Sequence, residues 1–236
     1  MMERRIERWY DGTLRPTLLE PPRLSSARAP WSGFLLEGEP CIGGSANRIV
    51  IPHTELIMMI GGGAWIETRA FGVNKKFFAG PDTVTLWPAG HDLQSATWKP
   101  VDSRDGKIRI TCMQLDPLAL ELLNLQTEGR SLPMLPALDD PVLASLMRLA
   151  EGDIQTGCAT GRLYGESLCL ALGTHVLGRY ATGFKEKQPG RAGLSAQQRE
   201  RVRELVQANL DGDLSLAELA RVVALSPQHF TVACRN

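Results

Sequence analysis

The stretch RIVIPHTELIMMIGGGAWIETR (Arg48–Arg69) decides how this chain reads. Three short apolar or alternating runs, Arg48–Ile51, Glu55–Ile60 and Ala64–Arg69, are cut by Pro52-His53 and by Gly61-Gly62-Gly63. Short runs bounded by such turn residues predict strands. The pattern continues downstream with Lys76–Phe78, Thr83–Trp87, Leu93–Lys99 and Lys107–Leu115, separated by Gly80-Pro81-Asp82, Pro88-Ala89-Gly90 and Asp105-Gly106. Short strands at this spacing predict a barrel or sandwich. The three glycines read as a hairpin turn. They are no phosphate loop, because neither a lysine nor a helix start follows them.

The flanks differ in texture. Residues 1–47 are rich in Pro, Arg and Ser, with Pro21-Pro22 and Gly43-Gly44 as breakers, and predict irregular structure with one or two short strands. Residues 117–183 turn helical. Pro141–Glu151 carries Val142, Leu143, Leu146 and Leu149 at helical spacing, and Thr160–Tyr180 carries Leu163, Leu168, Leu170, Leu172, Val176 and Leu177. The second segment is apolar over more than one face, which calls for a second packing partner. That partner is either another subunit, with Leu163, Leu170 and Leu177 as dimerisation residues, or the chain's own barrel. Residues 184–193 read as a linker.

Composition sets bounds. The chain has 236 residues, 43% hydrophobic and 22% charged, the balance of a medium domain plus a small one. Its formal net charge is zero, short of the basic excess that a complete nucleic-acid-binding surface carries. Within Leu194–Asn236 the basic residues Arg199, Arg201, Arg203, Arg221 and Arg235 equal the acidic Glu200, Glu204, Asp211, Asp213 and Glu218 in number. The five cysteines, Cys41, Cys112, Cys158, Cys169 and Cys234, include no CxxC pair and read as reduced thiols. Met1–Tyr10 lacks an apolar core, and no run long enough to span a bilayer occurs. The expectation is a cytoplasmic protein without membrane contact.

Leu194–Asn236 holds three readable helix starts. Ser195-Ala-Gln-Gln198 and Ser215-Leu-Ala-Glu218 match the capping box, and Ser226-Pro227 places proline at a first helical position. The apolar faces agree: Val202, Leu205, Val206 and Leu210, then Leu216, Leu219, Ala220 and Val223, then Phe230, Ala233 and Cys234. Two short helices joined only by Val223-Ala224-Leu225 form the helix-turn-helix pattern.

These words resemble a family. Leu194-Ser195, Ala208-Asn209-Leu210, Leu214–Ala220 and Leu225–Phe230 look like the first helix-turn-helix of AraC-type (AraC/XylS) bacterial transcription regulators. Leu163–Leu168 and His175–Tyr180 are similar to the helix before the linker in that family. Pro88-Ala89-Gly90-His91 is similar to the turn at the mouth of its cupin barrel. The resemblance implies a mixed α and β chain. It comprises a cupin-like effector-binding β-barrel (1–116), a helical dimerisation segment (117–183), the linker (184–193) and the first helix-turn-helix of an incomplete, truncated DNA-binding domain (194–236). It implies a small-molecule effector, promoter DNA when the C-terminal domain is complete, and a homodimer. In such a protein Gln228, His229, Thr231, Val232 and Arg235 would face DNA, with Gln228 able to pair with adenine. The chain departs from the family at Ala224, where glycine is usual, and at Val232, where arginine is common. The other reading is a truncated partner that binds no DNA and antagonises a full-length regulator by dimerising with it.

Cupin barrels also serve metal enzymes, which need several inward ligands. Of the four histidines, His53, His91, His175 and His229, two lie outside the barrel, and no His-x-His occurs. His53 and His91 make at most half a site, with Glu67 a distant third. No enzyme activity, metal or cofactor is expected. The candidate ligand-binding residues are Met58, Trp65, Phe78, Trp87, His91 and Trp98, with Met59 and Ile60 beside Met58. The alternation alone leaves open which of them point inward.

Overall fold

The computed structural model describes residues 4–18, 21–101, 107–116, 130–184, 202, 203, 205–207, 209, 214–223 and 230. The chain divides into two compact units, Met1–Thr182 and Gly183–Asn236.

In the first unit β1 (Glu7–Tyr10), β2 (Thr13–Pro16) and β3 (Leu24–Ser25) precede a run of eight strands. These are β4 (Phe34–Ile42), β5 (Gly44–Ile51), β6 (Glu55–Gly61), β7 (Gly63–Ala70), β8 (Val73–Ala79), β9 (Val84–Trp87), β10 (His91–Val101) and β11 (Lys107–Leu115). β12 (Arg130–Ser131) and β13 (Leu135–Leu138) follow. The front sheet has the order β2-β1-β5-β10-β7-β8, and the back sheet the order β13-β9-β6-β11-β4-β3. The central eight strands thus alternate between sheets as 5-10-7-8 and 9-6-11-4. That is the double-sheet jelly roll of cupins, and the barrel is cupin-like by topology.

The seven runs read as strands between residues 48 and 115 all fall on strands, with only Thr83 lying outside, one residue before β9. Two expectations need correction. Residues 1–47 hold β1 to β4 and the start of β5, and β4 pairs with β11 along its whole length, from Ile42↔Lys107 to Phe34↔Leu115. Glu37, Gly38, Glu39 and Pro40 hide this strand from composition, because tertiary pairing overrides their weak strand preference. Gly61-Gly62-Gly63 is no hairpin: it carries the chain from β6 in the back sheet to β7 in the front sheet. Gly62 takes φ +78°, and a side chain on Gly63 would meet the Phe78 ring at 2.5 Å, so glycine is required at this corner.

Two helices cover the outer face of the back sheet, α1 (Pro141–Gln155) and α2 (Arg162–Tyr180). Leu143, Met147 and Ala150 of α1 and Leu168, Leu172 and Val176 of α2 pack with Leu36, Leu56, Met58, Leu86 and Met113 of the sheet. They belong to the same compact unit as the barrel. Asp140 starts α1 by accepting from the Val142 and Leu143 amides, each at 3.1 Å, with Pro141 in the first turn. The same carboxylate accepts from His175 Nε2 at 2.7 Å and from the Tyr180 hydroxyl at 2.5 Å, tying the end of α2 to the start of α1. Burial acts to raise the Asp140 pKa, but the bonds from His175, Tyr180 and the Leu143 amide prevail and hold it at about 2. Trp31 lies flat on α2 at Gly165, where a Cβ would stand 2.2 Å from the indole.

In the second unit α3 (Leu216–Val222) begins with the expected capping box: the Glu218 amide donates to Ser215 Oγ at 3.2 Å, and the Ser215 amide to Glu218 Oε2 at 2.9 Å. Ala220, Val223 and Phe230 form a small core with Val202, Leu219 and Val222 beside it. Gln228, His229, Thr231, Val232 and Arg235, the residues expected to face DNA, lie outside the described residues, as does the Ala224-Leu225 turn.

Candidate ligand-binding cavity

Between the two sheets lies a cavity of about 110 Å³. Its position follows from strand parity. In β6, Ile57 and Met59 point inward; in β11, Ile108, Ile110 and Cys112 do so; in β9, Thr85 and Trp87. The residues adjacent to them, Met58, Leu86 and Met113, point to the helices instead. The front sheet contributes Ile49, Ile66, Leu93, Ala96 and Trp98. Trp98 Nε1 donates to the Ile42 carbonyl at 2.8 Å, so its indole shows the cavity an apolar surface.

Polar groups enter mainly from the N-terminal strands. Arg8, Tyr10 and Thr17 line the cavity. Arg8 donates to Glu55 Oε2 from Nε at 2.9 Å and from Nη2 at 2.5 Å, and the Glu55 side chain is wholly buried. Burial opposes the charge on Arg8, but the adjoining Glu55 carboxylate outweighs it and holds the guanidinium pKa above its ordinary value. Burial pushes the Tyr10 phenol and the Cys41 and Cys112 thiols up, so these groups stand neutral near pH 7. A second buried pair, Arg5 Nε to Glu37 Oε1 at 2.8 Å, fixes the start of β1 against β4.

The candidate ligand residues separate sharply. Trp87 and Trp98 line the cavity. Met58 does not: it is fully buried in the layer between back sheet and helices, one residue out of phase with Ile57 and Met59. Trp65 and Phe78 face away from the cavity. Ile66 and Phe77 take the inward positions, and Trp65 and Phe78, paired in register, meet outside with tilted rings 5.5 Å apart, 44% and 43% exposed. Ile60 joins the helix-side packing. His91 opens β10 and contacts the Trp87 ring at 5.6 Å and the Phe71 ring at 6.2 Å, without lining the cavity. Burial, then Lys75, lowers its pKa. Glu67 pairs with Lys76 on the outside. Among the described residues no group of three His, Cys, Asp or Glu side chains converges.

Sequence reading missed Arg8, Tyr10, Thr17 and Glu55. The signal was present in Ile6, Arg8 and Tyr10 at period two, but charge and proline nearby masked it as a tail. Of the dimerisation candidates, Leu163 and Leu170 are 77% and 41% exposed on α2. Leu177, further along the same stripe of α2, is only 8% exposed and is covered by the chain's own packing.

The fold has a counterpart among solved structures. The unsaturated-fatty-acid-bound ToxT of Vibrio cholerae matches at a TM-score of 0.50 and 13% identity, over 86% of this chain and 73% of that one. The chain shares the ToxT fold. The AraC-like transcriptional activator CuxR matches at a TM-score of 0.43 and 13% identity, over 86% and 70% of the two chains. An oxalate decarboxylase of Bacillus subtilis matches at 0.29 and 14% identity, over 36% and 21%. No protein-family model matches the chain, and no curated protein does. No described helix is long and apolar enough to cross a membrane.

Proposed function

We propose that this chain is a ligand-responsive transcription regulator of the AraC type: a small-molecule effector occupies the jelly-roll cavity and controls DNA binding by the C-terminal helix-turn-helix. The observation that carries this reading is the cavity itself, walled mostly by apolar side chains with Arg8, Tyr10, Thr17 and Thr85 among them. That is the usual form of a small-molecule site. It sits in a fold shared with ToxT, which has been crystallised with an unsaturated fatty acid. The role is binding rather than catalysis, since the lining is dominated by Ile, Leu, Met and Trp.

The back sheet gives the coupling a route. One face of β6, β9 and β11 lines the cavity, and the other packs on α1 and α2. Thr111 of β11 donates to the buried Glu151 of α1, linking strand to helix directly. An effector that favours one packing of this sheet shifts the helix layer by its differential affinity. Leu163 and Leu170 of α2, with Val142 and Leu149 of α1 at 52% and 50% exposure, present the surface for a second copy of the chain.

Native mass spectrometry tests the sensor reading: a homodimer carrying a co-purified small molecule is expected, and a monomer without adduct, unchanged by added apolar compounds, overturns it. Selection from a random DNA pool tests the DNA reading. An enriched motif whose base preference relaxes in Gln228→Ala supports it, and a pool without enrichment removes it.

A further inference from the structure

The polar groups of the cavity wall differ in what they offer a ligand, and the difference bears on its chemistry; the inference rests on the effector reading above. Arg8, Tyr10 and Thr17 all line the cavity and come from one ribbon, β1 with β2 and the residue that follows it. Arg8 and Tyr10 alternate along β1 and so face the same way. The Thr17 amide donates to the Ile6 carbonyl at 2.8 Å, which extends the β1–β2 register and sets Thr17 diagonal to Arg8.

These groups are donors above all. Arg8 gives Nε and Nη2 to Glu55 Oε2 and also hydrogen-bonds the Tyr10 side chain. A phenol oxygen that accepts from a guanidinium keeps its O–H to donate, and the cation behind it strengthens that donor. Thr17 Oγ1 is buried and has no hydrogen-bond partner among the described residues. Thr85 Oγ1 already accepts from the Ala137 amide at 3.2 Å. Among the described residues no Asp, Glu, Asn, Gln or His lines the cavity. Buried donors without an acceptor are costly, and a ligand oxygen that only accepts satisfies them. A ligand hydroxyl would bring a proton of its own, for which no carboxylate or amide of the lining stands ready.

An anion also accepts, but the charge here is already balanced. Glu55 lies behind Arg8, outside the lining, with its side chain wholly buried. It neutralises the cation that faces the cavity. A ligand carboxylate at Arg8 would put two negative charges on one guanidinium away from water, where one of them must take a proton or leave. A neutral carbonyl oxygen meets no such penalty. Its carbon skeleton rests on the apolar wall, which includes Trp87 and Trp98, and the polar ribbon leaves the length of that skeleton open.

We infer that the effector is an uncharged molecule that presents a carbonyl oxygen, a ketone or an ester, to Tyr10 and Thr17 beside a charge-balanced Arg8, rather than an anion held by Arg8.

Calorimetric titration of the full chain at pH 7 with two sets of probes decides it: acetophenone, benzoate and ethylbenzene, then 2-octanone, octanoate and 2-octanol. In whichever set binds, the ketone is expected to bind about tenfold tighter than the carboxylate, acetophenone about tenfold tighter than ethylbenzene, and 2-octanone severalfold tighter than 2-octanol. Tyr10→Phe is expected to cost the ketone about tenfold and erase its advantage. Glu55→Gln leaves the Arg8 charge unbalanced and, where circular dichroism shows it folded, is expected to reverse the order in favour of the carboxylate. A carboxylate tighter than its ketone in the wild type overturns the proposal in favour of Arg8 as an anion anchor and leaves the effector cavity standing. So does 2-octanol binding tighter than 2-octanone, or ethylbenzene binding as tightly as acetophenone. A ketone preference that survives Tyr10→Phe overturns the assignment to this ribbon. Binding of none of the six overturns both this proposal and the effector reading.

Discussion

The two sheets of the jelly roll bury their residues differently. In β7 of the front sheet Ala64 and Thr68 are buried, Trp65 and Arg69 exposed. In β6 of the back sheet Leu56, Met58 and Met59 are all buried, and no position is exposed. The front sheet has one dry face and one wet one. The back sheet is a wall shared by two cores, the cavity and the helix layer. Alternation in sequence reports a sheet with one wet face and falls silent on a sheet with none.

That contrast can be broken at several points. Met58→Ala removes a fully buried side chain from the wall between sheet and helices. It should cost about 2–5 kcal/mol in chemical denaturation and leave ligand binding in the cavity intact, since Met58 does not line it. Loss of binding without loss of stability would mean that Met58 faces the cavity after all.

Gly165→Ala presses on Trp31 from α2. An added methyl there should cost about 1–3 kcal/mol and change the tryptophan emission. An unchanged melting curve would show that Trp31 does not pack on the helix layer.

Asp140→Asn keeps a capping side chain but removes the charge that holds α2 to α1. The folded pKa of Asp140 is depressed to about 2 from a reference of 3.8, so its stabilisation is present above about pH 4 and is lost as pH falls through 2. The variant should lose about 1–2 kcal/mol at pH 7, with a flatter acid limb between pH 4 and 2. An acid limb that matches the wild type would remove Asp140 from the linkage.

Trp65→Ser, on the wet face of the front sheet, should change stability by less than about 1 kcal/mol and leave ligand titration unaltered. An effect as large as that of Met58→Ala would erase the distinction between the sheets.

Much of the barrel was legible because turn residues punctuate it. Gly, Pro and Asp between apolar runs located β5 to β11, and Ser215 with Glu218 located the start of α3, because these are local backbone requirements. Which side chains meet was decided elsewhere. Arg48 takes φ +49°, and across from it the inward positions of β10 step from Leu93 to Ala96 rather than by two. One such irregularity reverses the parity of everything beyond it. This is why Trp98 lines the cavity and Trp65 does not, although both lie in strands that look alike in sequence. Met58 and Met59 are adjacent and chemically identical, yet they serve opposite cores. The buried Arg8–Glu55 pair joins residues far apart in the chain, and such a pairing exists only once the strands have closed around it. Local turn chemistry and residue spacing therefore determined which elements form. Only the closed tertiary structure decided which of their faces look into the cavity, because inside and outside are defined by packing partners that no local window of sequence contains.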